Sequence, residues 1–152
     1  MKIRELKNED IKDFKELFEC SYIHETKFDI LLDNKVAGYA ERELKNLIKD
    51  RKLKILVASH KRKIVGFIIG LIEEKPYCYS IQNIGYIWDF FVLLDFRKRG
   101  IGQILFKNMM SWFKANGLKY VEIDVNYQNK DSISIWKKLG FKERRINMIK
   151  EI

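Results

Sequence analysis

The sequence predicts a single α/β domain over residues 1–152, with a mixed central sheet of about six or seven strands flanked by about four helices. Three observations carry this. An apolar extended run over residues 82–94 passes through a basic, glycine-containing turn into a stretch with Ile101, Ile104, Leu105, Met109, Trp112 and Phe113 on one helical face. Two apolar runs, residues 53–58 and 64–72, flank a charged turn at 60–63 as the arms of a hairpin do. Helical and extended patterns alternate along the chain, as they do where helices cover both faces of a sheet. A length of 152 residues with 47% hydrophobic content and one proline suits one domain with one core.

The elements follow in order. Residues 2–6 alternate as a short strand, and Asn8 is placed to cap a helix in which Ile11, Phe14, Leu17, Phe18 and Cys20 keep helical spacing. Residues 22–26 close it. A second helix is expected from Val36, Ala40, Leu44, Leu47 and Ile48, which share a face. After the hairpin, residues 73–79 with Pro76 form a loop before the long extended run. Asn116 and Gly117 stop the amphipathic helix. Residues 119–125 alternate, with Val121, Ile123 and Val125 on one side and Tyr120, Glu122 and Asp124 on the other. Ser132, Ile135, Trp136 and Leu139 mark a short helix ended by Gly140, and residues 141–149 supply a last strand.

Composition narrows the function classes. The formal charge of +9 comes from lysines and arginines scattered along the chain, not gathered into the tract a nucleic-acid groove would need. No apolar run approaches bilayer length, and residues 1–5 alternate in charge where a signal peptide would be apolar, so a cytoplasmic protein without a membrane partner is expected. Cys20, Cys78, His24 and His60 are isolated from one another, which speaks against a disulfide, a metal site or a cysteine nucleophile.

The chemistry concentrates at residues 89–103. A strand that turns into a helix presents unpaired N–H groups at the helix start, and Arg97, Lys98 and Arg99 add positive charge where the helix dipole is already positive. Gly100 and Gly102 let the backbone turn tightly and approach a ligand. The expected guest is a polyphosphate. The spacing RxxGxG fits neither GxxxxGK[ST] nor GxGxxG, since Gln103 follows Gly102 and no third glycine comes. Asp89 stands inside the apolar run 86–92, where an ionisable group is costly to bury unless something such as an incoming ammonium pairs with it.

Val92, Phe96, Arg97, Lys98, Arg99, Gly100, Ile101 and Gly102, followed at a helix-plus-strand distance by Asn129, Ser132, Trp136, Leu139, Gly140 and Phe141, resemble the two signature motifs of the GNAT N-acetyltransferases. The run from Asp89 to Arg97 is similar to the matching segment of the diamine (spermidine/spermine) acetyltransferases, although Trp88 stands where those enzymes often carry glutamate.

The resemblance implies acetyl-CoA as donor. Its pyrophosphate would sit on the turn formed by Arg97, Lys98, Arg99, Gly100, Ile101, Gly102 and Gln103, and its pantetheine arm would run along Phe90, Phe91 and Val92 like an added strand. Asn129 matches the family's cofactor-contacting asparagine, in a motif that continues through Ser132 and Trp136; a helix cap would ask for the same asparagine. The acetyl group would pass directly to a primary amine, with an N–H of the segment 91–93 meeting the oxyanion. Asp89 is the expected base. Asp124, five residues before Asn129, is a second, by analogy with enzymes acting on peptide amino termini. Tyr22, Glu25 and Glu122 complete an acidic acceptor site. Trp136 occupies the place of the family's usual proton-donating tyrosine, and indole has no acidic proton to give, so Tyr127, Tyr86 or water would take that role. The acceptor would be a polyamine or other small cationic amine, with a peptide amino terminus, a non-catalytic acyl-CoA-binding module and a nucleic-acid-binding domain as alternatives. Homodimerisation through the last strands is also implied by resemblance.

Overall fold

The apolar runs 53–58 and 64–72 build the centre of the molecule, because strands covered on both faces bury successive side chains. The structure, a computed structural model, describes residues 1–33, 50 and 52–152. Five strands form one sheet in the order β1-β2-β3-β4-β5: β1 (Lys2–Glu5), β2 (Leu53–His60), β3 (Lys63–Glu74), β4 (Asn83–Val92) and β5 (Val121–Ile123). The first four pair antiparallel, and β5 runs parallel to β4. Helix α1 (Ile11–Glu25) covers one face, α2 (Ile101–Ala115) and α3 (Lys130–Lys138) the other.

Each face has its own core. Phe14, Leu17 and Phe18 of α1 pack on Ile55, Val57, Phe67, Ile69 and Phe91. Ile101, Leu105, Met109 and Phe113, one helical turn apart on α2, pack with Trp136 of α3 on Leu56, Ile68, Ile87 and Val92. Helix α2 comes so close to β3 that a Cβ on Gly70 would lie 2.8 Å from Phe113 Cζ. Burying a side chain such as Phe113 contributes roughly 2–3 kcal/mol, so these two stripes hold the helices that flank β4.

Several expectations are corrected. Among the described residues the sheet has five strands, because residues 141–152 are not extended into a ladder. Phe141 docks against Trp136, but Ile146, Met148 and Ile149 beyond it are exposed, and an extended segment with no neighbouring strand among the described residues leaves its backbone groups to water. The strand expected at 119–125 pairs only over Val121–Ile123. Asn8 begins a 3-10 turn instead of capping α1. The entry to α1 is fixed by Asp10, whose carboxylate accepts from Arg4 Nη2 at 2.8 Å and from the Lys7 N–H at 2.9 Å. The Arg4 fork holds the Asp10 carboxyl below the usual range against the opposing effect of burial. Cys20 is exposed, and Ser21 occupies the buried stripe with Phe14, Leu17 and Phe18. The expected helix from Val36 to Ile48 lies outside the described residues. Among those described, no helix is long and apolar enough to cross a membrane.

Candidate active site

The site begins with one surplus residue. In the β3–β4 ladder Ile69 faces Asp89 and Gly70 faces Ile87, so Trp88 is the extra residue of a β-bulge. Side chains of a strand alternate between faces, and the bulge breaks that alternation. Ile87 points to the α2 core, Trp88 to the α1 core beside Phe18, and Asp89, opposite Ile69, points to the α1 side as well. Regular alternation would have sent Asp89 among the apolar side chains under α2.

The same place is where the sheet parts. Strand β4 pairs with β5 only through Gly85, Tyr86 and Ile87, then continues to Val92 with β3 alone beside it among the described residues. The Leu93 N–H points back to Val65 of β3 at 2.9 Å, so by alternation Phe90 and Val92 turn their backbone groups to the open side. The Val92 carbonyl there accepts from Arg97 Nε at 2.8 Å, and the Phe90 N–H donates to Asp89 Oδ1 at 2.6 Å. Asp89 therefore stands at the head of a wedge whose wall is Phe90 to Val92.

Around Asp89 the electrostatics are acidic. Its carboxyl is pushed up to about 6, chiefly by burial, with hydrogen bonds from Ser21 and the Phe90 N–H pulling the other way and Glu25 pushing further up. Glu25, at the end of α1, is itself raised by burial and by Asp29. His24 lies 5.9 Å from the Phe91 ring and is lowered by burial, then by Arg97 and Lys27. Tyr22 is partly buried on the same helix. A pair of carboxyls that resist ionisation is an environment in which a cation would relieve the repulsion between them.

Below the wedge lies the glycine turn. Lys98 has φ 59° and Gly100 φ 77°, and together they swing the chain from the short turn at Leu94–Phe96 into α2. The first bond of α2 runs from the Ile104 N–H to the Gly100 carbonyl at 3.1 Å, and no side chain caps the helix. The Ile101, Gly102 and Gln103 N–H groups thus have no partner within the helix. A Cβ on Gly102 would meet Phe90 at 3.1 Å, so the turn is packed directly against the wedge wall. Arg97 lies over the Phe91 ring and Arg99 over Phe96, which pins two of the three cations of the turn. Residues on this surface could hold an anionic, amide-bearing ligand: phosphates on the helix start, amides along Phe90 to Val92.

The remaining candidates are distributed differently. Asn129 is buried and caps α3, accepting from the Ser132 N–H at 3.1 Å. Trp136 is only 5% exposed, set among Phe90, Phe106 and Phe141, and its indole N–H donates to Ser132 Oγ at 3.1 Å. Its side chain is thus a support behind the wedge wall and not part of an open surface. Tyr86 Oη donates to Asp124 Oδ2 at 3.0 Å, just where β4 and β5 separate; burial first, then Asp124, raises the phenol further from titration. Glu122 is held by Lys75 at 3.0 Å and by Arg144, so its carboxylate is engaged by two cations and does not form an open acidic contact. Tyr127 is 80% exposed, with Lys130 Nζ over its ring. Two surface hollows, one at Glu5 to Asn8 with Leu53 to Ile55 and one around Gln82 and Asn116, lie away from the wedge and lack its buried carboxyl. The sequence does not single out Ser21; its signal is the 14, 17, 18, 21 spacing, hidden because serine is polar.

A parted sheet with a helix start beneath it and a partly buried carboxyl at its head gives a small α/β domain with a surface that could seat an anionic, amide-bearing ligand. Residues 5–141 match the acetyltransferase (GNAT) family, and the chain belongs to that family. Acetyl-CoA is the family's cofactor. The chain is 31% identical over 150 residues to an uncharacterised N-acetyltransferase of Methanocaldococcus jannaschii, covering 95% of this chain and 62% of that protein. It is 28% identical over 107 residues to an N-alpha-acetyltransferase of Sulfurisphaera tokodaii, covering 65% of this chain and 62% of that one. The chain thus spans about three-fifths of the length of these relatives. Among solved structures, an aminoglycoside N-acetyltransferase in complex with CoA shares the fold at a TM-score of 0.76 and 17% identity, over 99% of each chain.

Proposed function

We propose that the protein is an acetyl-CoA-dependent N-acetyltransferase acting directly on a primary amine of a small cationic molecule. The observation that carries this is Asp89, a carboxyl at the head of the wedge whose proton affinity is raised toward neutrality and which shares its surroundings with Glu25. Bound acetyl-CoA supplies the activated acyl group as a thioester. Asp89 and Glu25 attract the ammonium, and Asp89 takes its proton, so that a free amine faces the acyl carbon. A carboxyl near 6 is ionised at neutral pH yet holds a proton far better than an ordinary aspartate. The Val92 N–H, turned to the open side, donates to the carbonyl oxygen as negative charge develops there. The N–H groups of Ile101, Gly102 and Gln103, with Lys98 and Arg99, hold the phosphates, and Asn129, Ser132 and Trp136 form the support behind the acyl arm. Asp124, joined to Tyr86, is the second candidate base, and Tyr127 is a candidate proton donor to the departing thiolate, whose own pKa of ~8.5 makes a fair leaving group.

The test is continuous detection of CoA thiol from acetyl-CoA with spermidine as acceptor, against a control without amine. Spermidine-dependent release supports the reading. Release only with a peptide amino terminus would move the acceptor to that class, in line with the N-alpha-acetyltransferase among the relatives. Acetyl-CoA binding without release for any amine would leave a non-catalytic acyl-CoA module.

The reading includes a homodimer, supported by the exposed Ile146, Met148, Ile149 and Ile152 along an unpaired C-terminal segment. Sedimentation at micromolar concentration should give twice the mass of 18.3 kDa, and a monomer would reject it.

A further inference from the structure

Ser21 Oγ lies 2.8 Å from Asp89 Oδ2 and 2.8 Å from the Phe18 carbonyl. A hydroxyl has one proton to donate, and both neighbours accept when Asp89 is ionised. Ser21 is buried, at 2% exposure, so its hydroxyl chooses between these two acceptors and not water. Two arrangements fit these distances: with Asp89 protonated at Oδ2 that proton is donated to Ser21 Oγ and the Ser21 O–H to the Phe18 carbonyl, and with Asp89 ionised the Ser21 O–H is donated to Oδ2.

The geometry points to Ser21 as a positioning residue for the base, a hydroxyl that turns from Asp89 Oδ2 to the Phe18 carbonyl as the carboxylate takes a proton from the amine. This rests on the transferase reading above. In the step the ammonium N–H bond breaks and an Oδ2–H bond forms; Ser21 keeps its own proton and only rotates. Oδ2 is the receiving atom because Oδ1 already accepts from the Phe90 N–H, and a proton there would face another donor. When the carboxylate reforms, the proton leaves to water and the hydroxyl turns back. The helix end thereby matches its hydrogen bonding to either charge state of the base.

The other groups facing Asp89 do not offer this. Glu25 on α1 adds negative charge, Ile69 on β3 is apolar, Arg97 and His24 gather over Phe91, and Tyr86 is joined to Asp124. Ser21 is the side chain that donates to the carboxylate, and a bond to an ionised acceptor is stronger than one to a carbonyl. Removing it therefore disfavours the ionised form.

The experiment compares wild type with Ser21→Ala by two readouts. One is the carbon-13 titration of the Asp89 carboxyl, assigned by its absence in Asp89→Asn. The other is the pH profile of kcat/KM with spermidine. Both midpoints should rise by about one pH unit in Ser21→Ala, which lowers kcat/KM at pH 6 roughly fivefold. An unchanged carboxyl titration overturns the role of Ser21 and leaves the proposed reaction standing. A shifted titration in a protein that releases no thiol with any amine supports the Ser21–Asp89 coupling and overturns the reaction.

Discussion

Asp89→Asn should lower acceptor-dependent turnover by about 10²- to 10⁴-fold and, at the same time, make the protein more stable at neutral pH. The two effects have one origin. The Asp89 carboxyl is raised from its ordinary 3.8 to about 6, chiefly because burial disfavours its charge. A raised pKa means the folded state binds the proton more tightly than the unfolded one. The stability this group contributes is then complete below about pH 4 and is lost as pH rises through about 6. At pH 7.5 the ionised carboxylate works against folding by roughly 1–3 kcal/mol, the lower figure allowing for the solvent that reaches a partly buried side chain. Asparagine can accept from the Phe90 N–H through its carbonyl and donate to Ser21 through its amide, with no charge to bury. Urea unfolding should therefore show the variant and wild type alike near pH 4, parting between pH 4 and 6, with the variant ahead above that. A variant less stable than wild type at pH 7.5 would show that the carboxylate is held by more than it repels. Acetyl-CoA affinity should stay within about twofold, because in the proposed reaction Asp89 meets the amine and not the phosphates.

Gly100→Glu should do the reverse: acetyl-CoA affinity falls by at least about tenfold, equivalent to roughly 1.4 kcal/mol, while folding is little disturbed. Gly100 sits at φ 77° at the start of α2, and nothing lies within 4 Å of a Cβ added there. Space is therefore not the difficulty. A left-handed non-glycine residue costs about 1–2 kcal/mol, and a carboxylate beside the helix start returns roughly 0.3–1 kcal/mol, so the net change in stability is small. For a phosphate the balance differs, since the new carboxylate would occupy the field that the Ile101, Gly102 and Gln103 N–H groups offer to an anion. Titration calorimetry with acetyl-CoA checks this, with Gly100→Ala separating backbone strain from charge. Alanine should weaken binding far less than glutamate. If neither substitution matters, the phosphates are seated elsewhere.

What the sequence discloses is what depends on near neighbours. The glycine turn, α2 and its end at Asn116, and the central hairpin can be read from spacing, because each is fixed by contacts a few residues apart. Asp89 is conspicuous because it is the one acid in an apolar run. Its direction is not legible, since strict alternation from Ile87 passes over the extra residue at Trp88. Ser21 is hidden for a related reason. The sequence suggests Cys20 as the apolar helix position, whereas the buried stripe continues to a serine whose partner lies 68 positions away. The last strand fails on different grounds: among the described residues nothing lies alongside 141–149 to pair with its backbone, and Lys142 to Arg145 are four charged residues in a row. Glu122 and Trp136 show the limit of type alone, as an acid already neutralised by Lys75 and Arg144 and an aromatic ring buried where its motif position suggested contact.

The surplus residue at Trp88 acts on β4 much as an inserted letter acts on a reading frame. Up to Ile87 the strand is in phase with β5 and the Tyr86–Asp124 pair; from Asp89 onward it is in phase with the glycine turn and the open backbone of Phe90 to Val92. Substitutions on one side of that joint leave the other side's orientation untouched. A point change on either side of the joint can therefore leave the register of the other intact, and only a gain or loss of a residue there would turn Asp89 to the opposite face of the sheet.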